Sequence, residues 1–242
     1  MEPVAPRDAA TVVILRPGPE VYLLRRKPTM AFAAGAYVFP GGSVDQRDAD
    51  HAVAWAGPSP AEWGEVFGAD EATARGLVCA AVRETFEESG VLLAGPDTEH
   101  VVADTTGDEW EADRLALIDR SLAFADFLAK RGLVLRSDLL KAWAHWITPE
   151  IETRRFDTRF FAAVLPQGQR TRDVGGEADL VEWKRPADAL DGKIFLMPPT
   201  HRTLSELAAH DSVESILAEK REIVPIMPRV VEVDGEWRLV AS

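Results

Sequence analysis

The stretch Ala80-Ala-Val-Arg-Glu-Thr-Phe-Glu-Glu-Ser-Gly90 decides how the rest of the chain is interpreted. Read as a helix, it places Glu84, Glu87 and Glu88 three and four positions apart, so that their carboxylates share one face. The apolar residues fall on roughly the opposite side, where they can be buried: Val78, Cys79, Val82 and Phe86. The sequence therefore predicts a helix over 71–89 with one acidic face, and Gly90 suits the residue just past its end.

Without a bound partner, the charges of the acidic face destabilise the helix. Glu84 and Glu88 repel each other at a separation of four residues, and negative charge near a helix C-terminus is disfavoured by the helix dipole. A hard divalent cation, which prefers oxygen ligands, would explain such a cluster. The alternative explanation is an ordinary solvated face, because runs of charge on helices are most often surface features.

The composition limits the class of protein. The 242 residues carry a net charge of −13, with 46% hydrophobic and 28% charged residues, as in an ordinary globular protein with a sizeable core. The acidic balance argues against nucleic acid and anionic membranes as partners and leaves a small molecule as the expected one. A single cysteine excludes an internal disulfide framework and a Cys-based zinc site. The start of the sequence has no apolar signal region and no run is long enough to span a membrane, so the cytoplasm is the expected location.

Short β-rich runs precede the acidic helix. Residues 11–15 and 21–25 flank a Pro-Gly-Pro turn and predict two paired strands, and 37–39 predicts a third. Pro40-Gly41-Gly42 follows directly, and glycines there allow close approach of the backbone to another group. Residues 45–68 lack a clear periodicity and indicate an inserted excursion with a short helix near 61–67.

A second excursion follows a predicted strand at 91–93 and is helical over much of 97–145. Within it, 137–146 predicts a short helix running into an extended segment. The remaining predicted elements are strands at 159–165 and 179–183, a helix at 186–190, a helical stretch at 200–218 that is interrupted near 210–212, and a terminal hairpin of 230–233 with 237–240.

Pro40-Gly-Gly42, together with Arg83-Glu-x-x-Glu-Glu-x-Gly-Val91, resembles the Nudix box, G-x5-E-x7-R-E-U-x-E-E-x-G-U, where U is apolar. The two halves lie unusually far apart, since Arg83 follows Gly42 by 41 positions instead of 14. Counting back from Arg83, the position of the first box Glu is occupied by Arg75. Asp45 and Asp48 are acids that could replace that Glu in joining the loop to the helix, and the prediction favours neither.

The split box resembles the Nudix branch that includes CoA and acyl-CoA diphosphatases with long insertions. Residues 146–150 and 154–161 are similar to segments typical of that branch. The resemblance implies a single α/β domain over 1–242, an α/β/α sandwich with a mixed central sheet. Residues 43–68 would be an insertion within the box, 97–145 a helical insertion, and 200–242 C-terminal helices and a hairpin. The two insertions would shape either the substrate pocket or an oligomer interface, such as that of a homodimer.

The resemblance also implies a chemistry. Mg²⁺ or Mn²⁺ would be bound by Glu84, Glu87 and Glu88, with the carbonyl of Gly42 as a further ligand, and Glu84 would also be catalytic. Arg83 would orient the acids by pairing with Glu87, and Gly41 and Gly90 would support the site. Water would attack the diphosphate of a nucleoside diphosphate-linked compound.

The catalytic base must come from elsewhere in the chain. Many Nudix proteins use a Glu in the loop before the strand that ends in Trp, and Glu177 follows two glycines at that place. The glycines would let such a loop move onto bound substrate. The competing explanation is a solvated loop acid. The next candidates are the nearby acids Asp173, Asp179 and Glu182.

The substrate is predicted less sharply than the reaction. Arg25 and Arg26, which follow a strand and precede the glycine loop, are candidates for binding phosphate or for a plain basic turn. The Phe39-Pro-Gly-Gly42 end agrees with CoA-type members, whereas Ala31 stands where those members carry an arginine. CoA or acyl-CoA is therefore one hypothesis, ADP-ribose or a dinucleotide another, and a catalytically silent Nudix-fold binding or regulatory module a third.

Overall fold

A computed structural model of the chain describes residues 3–30, 33–172, 178–233 and 236–240. Within these ranges the main sheet has eight strands. Six follow one hydrogen-bonded path: β10 (Ala178–Lys184), β2 (Glu20–Arg26), β1 (Arg7–Arg16), β9 (Phe156–Val164), β8 (Lys141–Ile147) and β11 (Pro225–Ile226). Two short strands pair beside this path: β3 (Tyr37–Val38) with β2, and β4 (Gly41–Ser43) with β1. The centre of the sheet thus joins strands from both ends of the chain.

The sheet is mixed. Its central pair, β1 and β9, is parallel and in register from Arg7 opposite Phe156 to Leu15 opposite Val164. The neighbouring pairs β1–β2 and β8–β9 are antiparallel. Parallel neighbours need a long crossover, and here the chain between them contains the acidic helix and both excursions.

Helices cover both faces of the sheet. On one face, α1 (Pro60–Phe67) and α2 (Glu71–Ser89) contribute buried residues to a core shared with the sheet: Val78, Val82 and Phe86 with Val12 and Ile14. On the other face, α6 (Pro198–Leu207) and α7 (Val213–Ala218) contribute theirs: Leu204, Leu207 and Ile216 with Val13 and Leu15. The predicted α/β/α sandwich with a mixed sheet is confirmed.

The acidic helix has the predicted bounds, and its ends show why. The side chain of Asp70 accepts a hydrogen bond from the backbone N–H of Thr73 and so caps the N-terminus. At the other end Gly90 adopts φ 75°, a left-handed conformation that favours glycine, and its N–H bonds to the carbonyl of Phe86. The full width of α2 is buried from Ala74 to Arg83, whereas its last turns carry the acids.

The two excursions meet in a second, three-stranded sheet. It is formed by β5 (Trp55–Ala56), β7 (Val134–Arg136) and β6 (Ala94–Gly95), in that order. The 97–145 excursion also contains α3 (Asp108–Ile118) and α4 (Phe124–Arg131). The 3₁₀ turns Gln46–Ala49 and Ser137–Leu139 lie at the start of one excursion and near the end of the other.

Two local predictions differ from the structure. The strand expected at 91–93 is instead the next pair of residues, Ala94–Gly95, although 91–93 is fully buried. The segment 137–146 has only the 3₁₀ turn before strand β8 begins at Lys141, because pairing with β9 outweighs local helix preference. The interruption expected near 210–212 is confirmed, since it separates α6 from α7, and the small helix α5 (Pro186–Ala189) is as expected.

The terminal hairpin has the predicted partners, since β12 (Arg229–Val233) pairs antiparallel with β13 (Glu236–Val240). Its turn, at Asp234 and Gly235, lies outside the described residues. None of the helices in the described ranges combines the length and the apolar character that crossing a membrane requires.

Candidate functional site

The glycine loop lies directly against the acidic end of α2, which comprises residues 83–90. The backbone N–H of Gly41 donates a hydrogen bond to Oε2 of Glu88, 2.8 Å away. A Cβ added to Gly42 would lie 2.4 Å from Oε1 of Glu84, which is closer than non-bonded atoms approach. A side chain at this position would therefore displace the carboxylate, and glycine is needed there because of this contact.

Arg83 binds and orients two of the acids. Its Nη1 donates to Oε1 of Glu84 at 2.8 Å and to Oε1 of Glu87 at 3.0 Å, so the expected pair of Arg83 with Glu87 is present. Its Nη2 also donates to the carbonyl of Ser43 at 3.0 Å. The guanidinium is only 8% exposed, and it holds the loop and the helix together while orienting two carboxylates.

Asp48 completes this arrangement. Its carboxylate accepts two hydrogen bonds from Arg83, from Nε at 2.9 Å and from Nη2 at 2.8 Å, and one from the backbone N–H of Asp45. Asp48 is 2% exposed, so this is a buried ion pair between the loop and the helix. It performs the joining role that the resemblance assigns to the first Glu of the box.

The position of Asp48 could have been found by counting forward. The box places its first Glu six positions after the Gly, and Asp48 follows Gly42 by six. Counting back from Arg83 instead gives Arg75, whose guanidinium lies 5.3 Å from the centre of the Trp55 ring and 4.0 Å from Glu71. The extra residues thus separate Asp48 from the helix in sequence but not in space.

The acidic end of α2 holds more buried negative charge than Arg83 balances. Burial raises the pKa of Glu84 to about 7, because Arg83 offsets the effect only in part and Glu87 adds repulsion. Burial also raises the pKa of Glu87. Carboxylates that are costly to ionise in place are stabilised by a neighbouring cation.

The donor atoms fit a hard divalent cation by their chemistry, since they are carboxylate oxygens accompanied by backbone carbonyls. Across the described residues, however, no group of three or more His, Cys, Asp or Glu is arranged to hold a metal ion. Instead, Arg83 binds one oxygen each of Glu84 and Glu87, and the amide of Gly41 binds one of Glu88.

A cleft of about 510 Å³ opens over these acids. Its lining combines the acids and the glycine loop with residues from both excursions. The first excursion contributes Asp45, Arg47 and Asp48. The second contributes Arg114, Leu117, Ile118, Arg120, Leu122 and Phe124. Both excursions therefore line the candidate site, which answers in part the question that the sequence left open between a pocket and an oligomer interface.

The cleft also contains guanidinium groups that could neutralise phosphates. Arg26, Arg47, Arg120 and Arg154 line it together with Arg83 and Arg114. Arg120 adopts φ 64°, a left-handed conformation that is uncommon outside glycine and that accompanies the turn after α3. Acids at one place and guanidinium groups around them are the features expected of a site for a metal-bound polyphosphate.

The remaining predicted site residues are placed as follows. Arg25 lies outside the cleft lining and forms two hydrogen bonds with Asp179 on the neighbouring strand, at 2.8 and 3.1 Å. Glu182 is 3.4 Å from Lys184 and also lies outside that lining. Glu177 and Asp173 lie outside the described residues.

Comparison with known proteins points in one direction. The family model described as the NUDT19 Nudix domain matches residues 69–207. The acyl-coenzyme A diphosphatase NUDT19 of Xenopus laevis is 28% identical over 78% of this chain and 59% of its own length. The human protein of that name is 28% identical over 82% of this chain and 63% of its own length. The chain thus spans about three fifths of these two relatives. A solved NUDIX hydrolase from Alicyclobacillus acidocaldarius is 29% identical, with a TM-score of 0.76 over 90% of this chain and 98% of that one.

Proposed function

This chain belongs to the NUDT19 Nudix domain family, and from that premise we propose that it hydrolyses a nucleoside diphosphate-linked compound with the help of a divalent cation. The observation that carries the proposal is the acidic end of α2. Its carboxylates are partly buried, two of them bound by Arg83, at the base of a cleft lined by further arginines. A folded protein retains such an excess of negative charge where a cation joins it.

The proposed cation is Mg²⁺ or Mn²⁺, held by Glu84, Glu87 and Glu88 with the carbonyl of Gly42. When bound, such an ion neutralises the diphosphate and lowers the pKa of a coordinated water. Arg83, fixed by Asp48, sets the directions of Glu84 and Glu87. Gly41 and Gly42 allow the loop to approach the carboxylates, and Gly90 ends the helix beside them.

The reaction adds water across one P–O–P linkage. The oxygen of water bonds to one phosphorus, the bridging P–O bond breaks, and two monophosphates are released together with a proton. We propose Glu177 as the base that accepts the proton of water, since it is the acid that follows two glycines directly before β10. Glu84, a proposed ligand, would act at the same centre. Arg26 lines the cleft and is the better candidate of the two basic residues for binding a phosphate, because Arg25 lies outside the cleft lining.

CoA or acyl-CoA is the proposed substrate. Two relatives carry the name acyl-coenzyme A diphosphatase. The second excursion adds apolar side chains to the cleft beside the guanidinium groups, as a substrate with both an apolar arm and phosphates requires: Leu117, Ile118, Leu122 and Phe124. We also propose that the chain is one Nudix domain with two insertions, because both contribute to one cleft.

The experiment is a substrate panel with product analysis. The folded chain is incubated with Mg²⁺ or Mn²⁺ and with CoA, an acyl-CoA, ADP-ribose or a dinucleoside polyphosphate in ¹⁸O-labelled water, and the products are identified by mass. We expect CoA to give 3′,5′-ADP and phosphopantetheine, with ¹⁸O in one of the two. Preferred turnover of ADP-ribose or a dinucleotide would replace the substrate and keep the reaction. If no diphosphate compound is cleaved by metal-loaded protein, the enzyme proposal is wrong and the binding-module hypothesis gains support.

A further inference from the structure

The acidic end of α2 is held from outside by the second excursion. Nη1 of Arg114, on α3, donates a hydrogen bond of 2.7 Å to the backbone carbonyl of Glu87. The last carbonyls of a helix lack partners within the helix, and a guanidinium satisfies them while complementing the helix dipole. The Arg114 side chain is 1% exposed, so this is a buried contact on the backbone of a proposed ligand residue.

A second arginine reaches the same helix end from the segment after β9. The backbone N–H of Arg172 donates to the carbonyl of Ser89 at 2.9 Å. Its guanidinium packs against Gly90 so closely that a Cβ there would lie 2.6 Å from Nε. Arg172 therefore contacts Ser89 through its backbone and Gly90 through its side chain.

One carboxylate joins the two arginines. Oε2 of Glu111, on α3, accepts from Nε of Arg114 at 2.9 Å and from Nη1 of Arg172 at 3.2 Å. Arg114 also donates from Nη2 to the other oxygen of Glu111. Among the described residues, the hydrogen bonds of Glu111 go to these two guanidinium groups and none goes to the acids of α2, so its influence on those acids passes through the arginines.

We propose that Glu111 is a positioning residue that fixes the acidic end of α2 for cation binding. By holding Arg114 on the carbonyl of Glu87 and Arg172 beside Gly90, it sets the last turn of the helix and hence the directions of Glu87 and Glu88. The inference rests on the proposed function in one respect, namely that these acids bind a divalent cation. It gives the second excursion a task at the reaction centre in addition to lining the cleft.

The same helix supplies a matched control. Asp113, two residues further along α3, also binds two cations, Lys130 and Arg131 of α4, at 2.6 and 2.7 Å. This pairing holds α3 to α4, and its partners are not on α2. Neutralising Asp113 therefore disturbs the packing of the excursion without touching the contacts to the acidic helix end.

The test compares Glu111→Gln with Asp113→Asn in the full chain. Mn²⁺ affinity is measured by electron paramagnetic resonance titration, which does not depend on turnover, and folding is checked by circular dichroism. Loss of a group that orients metal ligands typically weakens metal binding by about 10- to 100-fold, so we expect at least about a tenfold loss for Glu111→Gln. For Asp113→Asn we expect an affinity within about twofold of the wild type and a lower Tm. Glu111→Asp, which keeps a carboxylate, should lose less affinity than Glu111→Gln.

Equal Mn²⁺ affinities for folded Glu111→Gln and Asp113→Asn would overturn the inference. So would a wild-type chain that binds no Mn²⁺, because there would then be no bound ion to position. If the wild type binds Mn²⁺ but cleaves no diphosphate, the proposed reaction fails while the affinity comparison still decides the role of Glu111. Should Glu111→Gln fail to fold, the comparison is made with Glu111→Asp and Arg172→Lys, both of which keep the charge.

Discussion

Asp113 and Glu84 are both largely buried carboxylates bound by arginine, yet their pKa values are shifted in opposite directions. Burial alone would raise the pKa of Asp113, but hydrogen bonds from Lys130 and Arg131 outweigh it and lower the pKa. At Glu84 burial prevails over Arg83, and the repulsion of Glu87 adds to it, so the pKa rises to about 7. One acid meets two cations, and the other shares one cation with two further acids.

The difference separates a structural acid from a functional one. The ion pairs of Asp113 are complete in the folded chain and join α3 to α4. The acids of α2 are left with unbalanced charge by the fold itself, which is the condition under which a protein site gains most from an added cation. The comparison predicts different responses to the removal of each charge.

The largest expected effect is on turnover. Glu88→Gln removes a proposed metal ligand. Loss of a residue that only supports a ligand lowers activity by up to about 100-fold, so loss of the ligand itself should lower metal-dependent turnover by at least about 100-fold. Stability should change little, since Gln can still accept from the amide of Gly41 and the repulsion with Glu84 is removed. Steady-state kinetics and thermal melts measure both quantities. Substantial remaining turnover would show that the acidic end of α2 is not the reaction centre.

Asp48 combines a structural role with a functional one, and Asp48→Asn tests both roles. The substitution removes the charge that pairs with buried Arg83, which should cost about 3 kcal/mol of unfolding free energy. Because Arg83 orients Glu84 and Glu87, turnover should fall as well, in protein that is still folded. Denaturant unfolding and kinetics on the same samples are the measurements. A loss of stability with unchanged turnover per folded molecule would assign Asp48 a purely structural role.

Asp113→Asn should affect stability alone. It leaves Arg131 and Lys130 without their shared acid at a largely buried site, which should cost about 2 kcal/mol. Turnover at a temperature well below the Tm should equal that of the wild type. Chemical denaturation measures the first effect, and a change in kcat of the folded protein would contradict the second.

The smallest expected effect, taken per pH unit, is a pH dependence of stability without metal. The folded-state pKa of Glu84, about 7, lies above its ordinary value of 4.5. The stability that the neutral carboxyl contributes is therefore present below 4.5 and is lost as the pH rises toward 7. Unfolding free energy of the wild type minus that of Glu84→Gln should fall over this interval by at most about 1.4 kcal/mol per pH unit. A difference that is constant with pH would contradict the raised pKa.

The parts predicted well from the sequence are those with local causes. The bounds of α2 follow from a capping Asp70, an apolar face and a terminal glycine, all of which lie within twenty-one residues. A close approach of the backbone at Gly42 was expected from the two adjacent glycines, although its partner, Glu84, was not. The sandwich and its mixed sheet came from the resemblance that this local pattern carries.

The parts that escaped prediction depend on pairing across the sequence. Asp48 binds Arg83, which lies thirty-five positions further along the sequence. The spacing from Gly42 to Asp48 matches the box, but the inserted residues between Asp48 and Arg83 obscure the match. Arg114 and Glu111 lie in an excursion whose own sequence gives no sign of contact with α2. The lining of the cleft by both excursions likewise depends on tertiary packing, which no local propensity determines.

The three-stranded sheet of β5, β7 and β6 has a consequence for how this chain can be shortened. Its middle strand, β7, belongs to the second excursion and pairs with β5 of the first on one side and with β6 on the other. Trimming either excursion alone would strip backbone hydrogen bonds from the one that remains and expose an unpaired strand edge, which favours aggregation. The two excursions therefore form one structural unit, which should be exchanged or deleted as a whole when the chain is engineered.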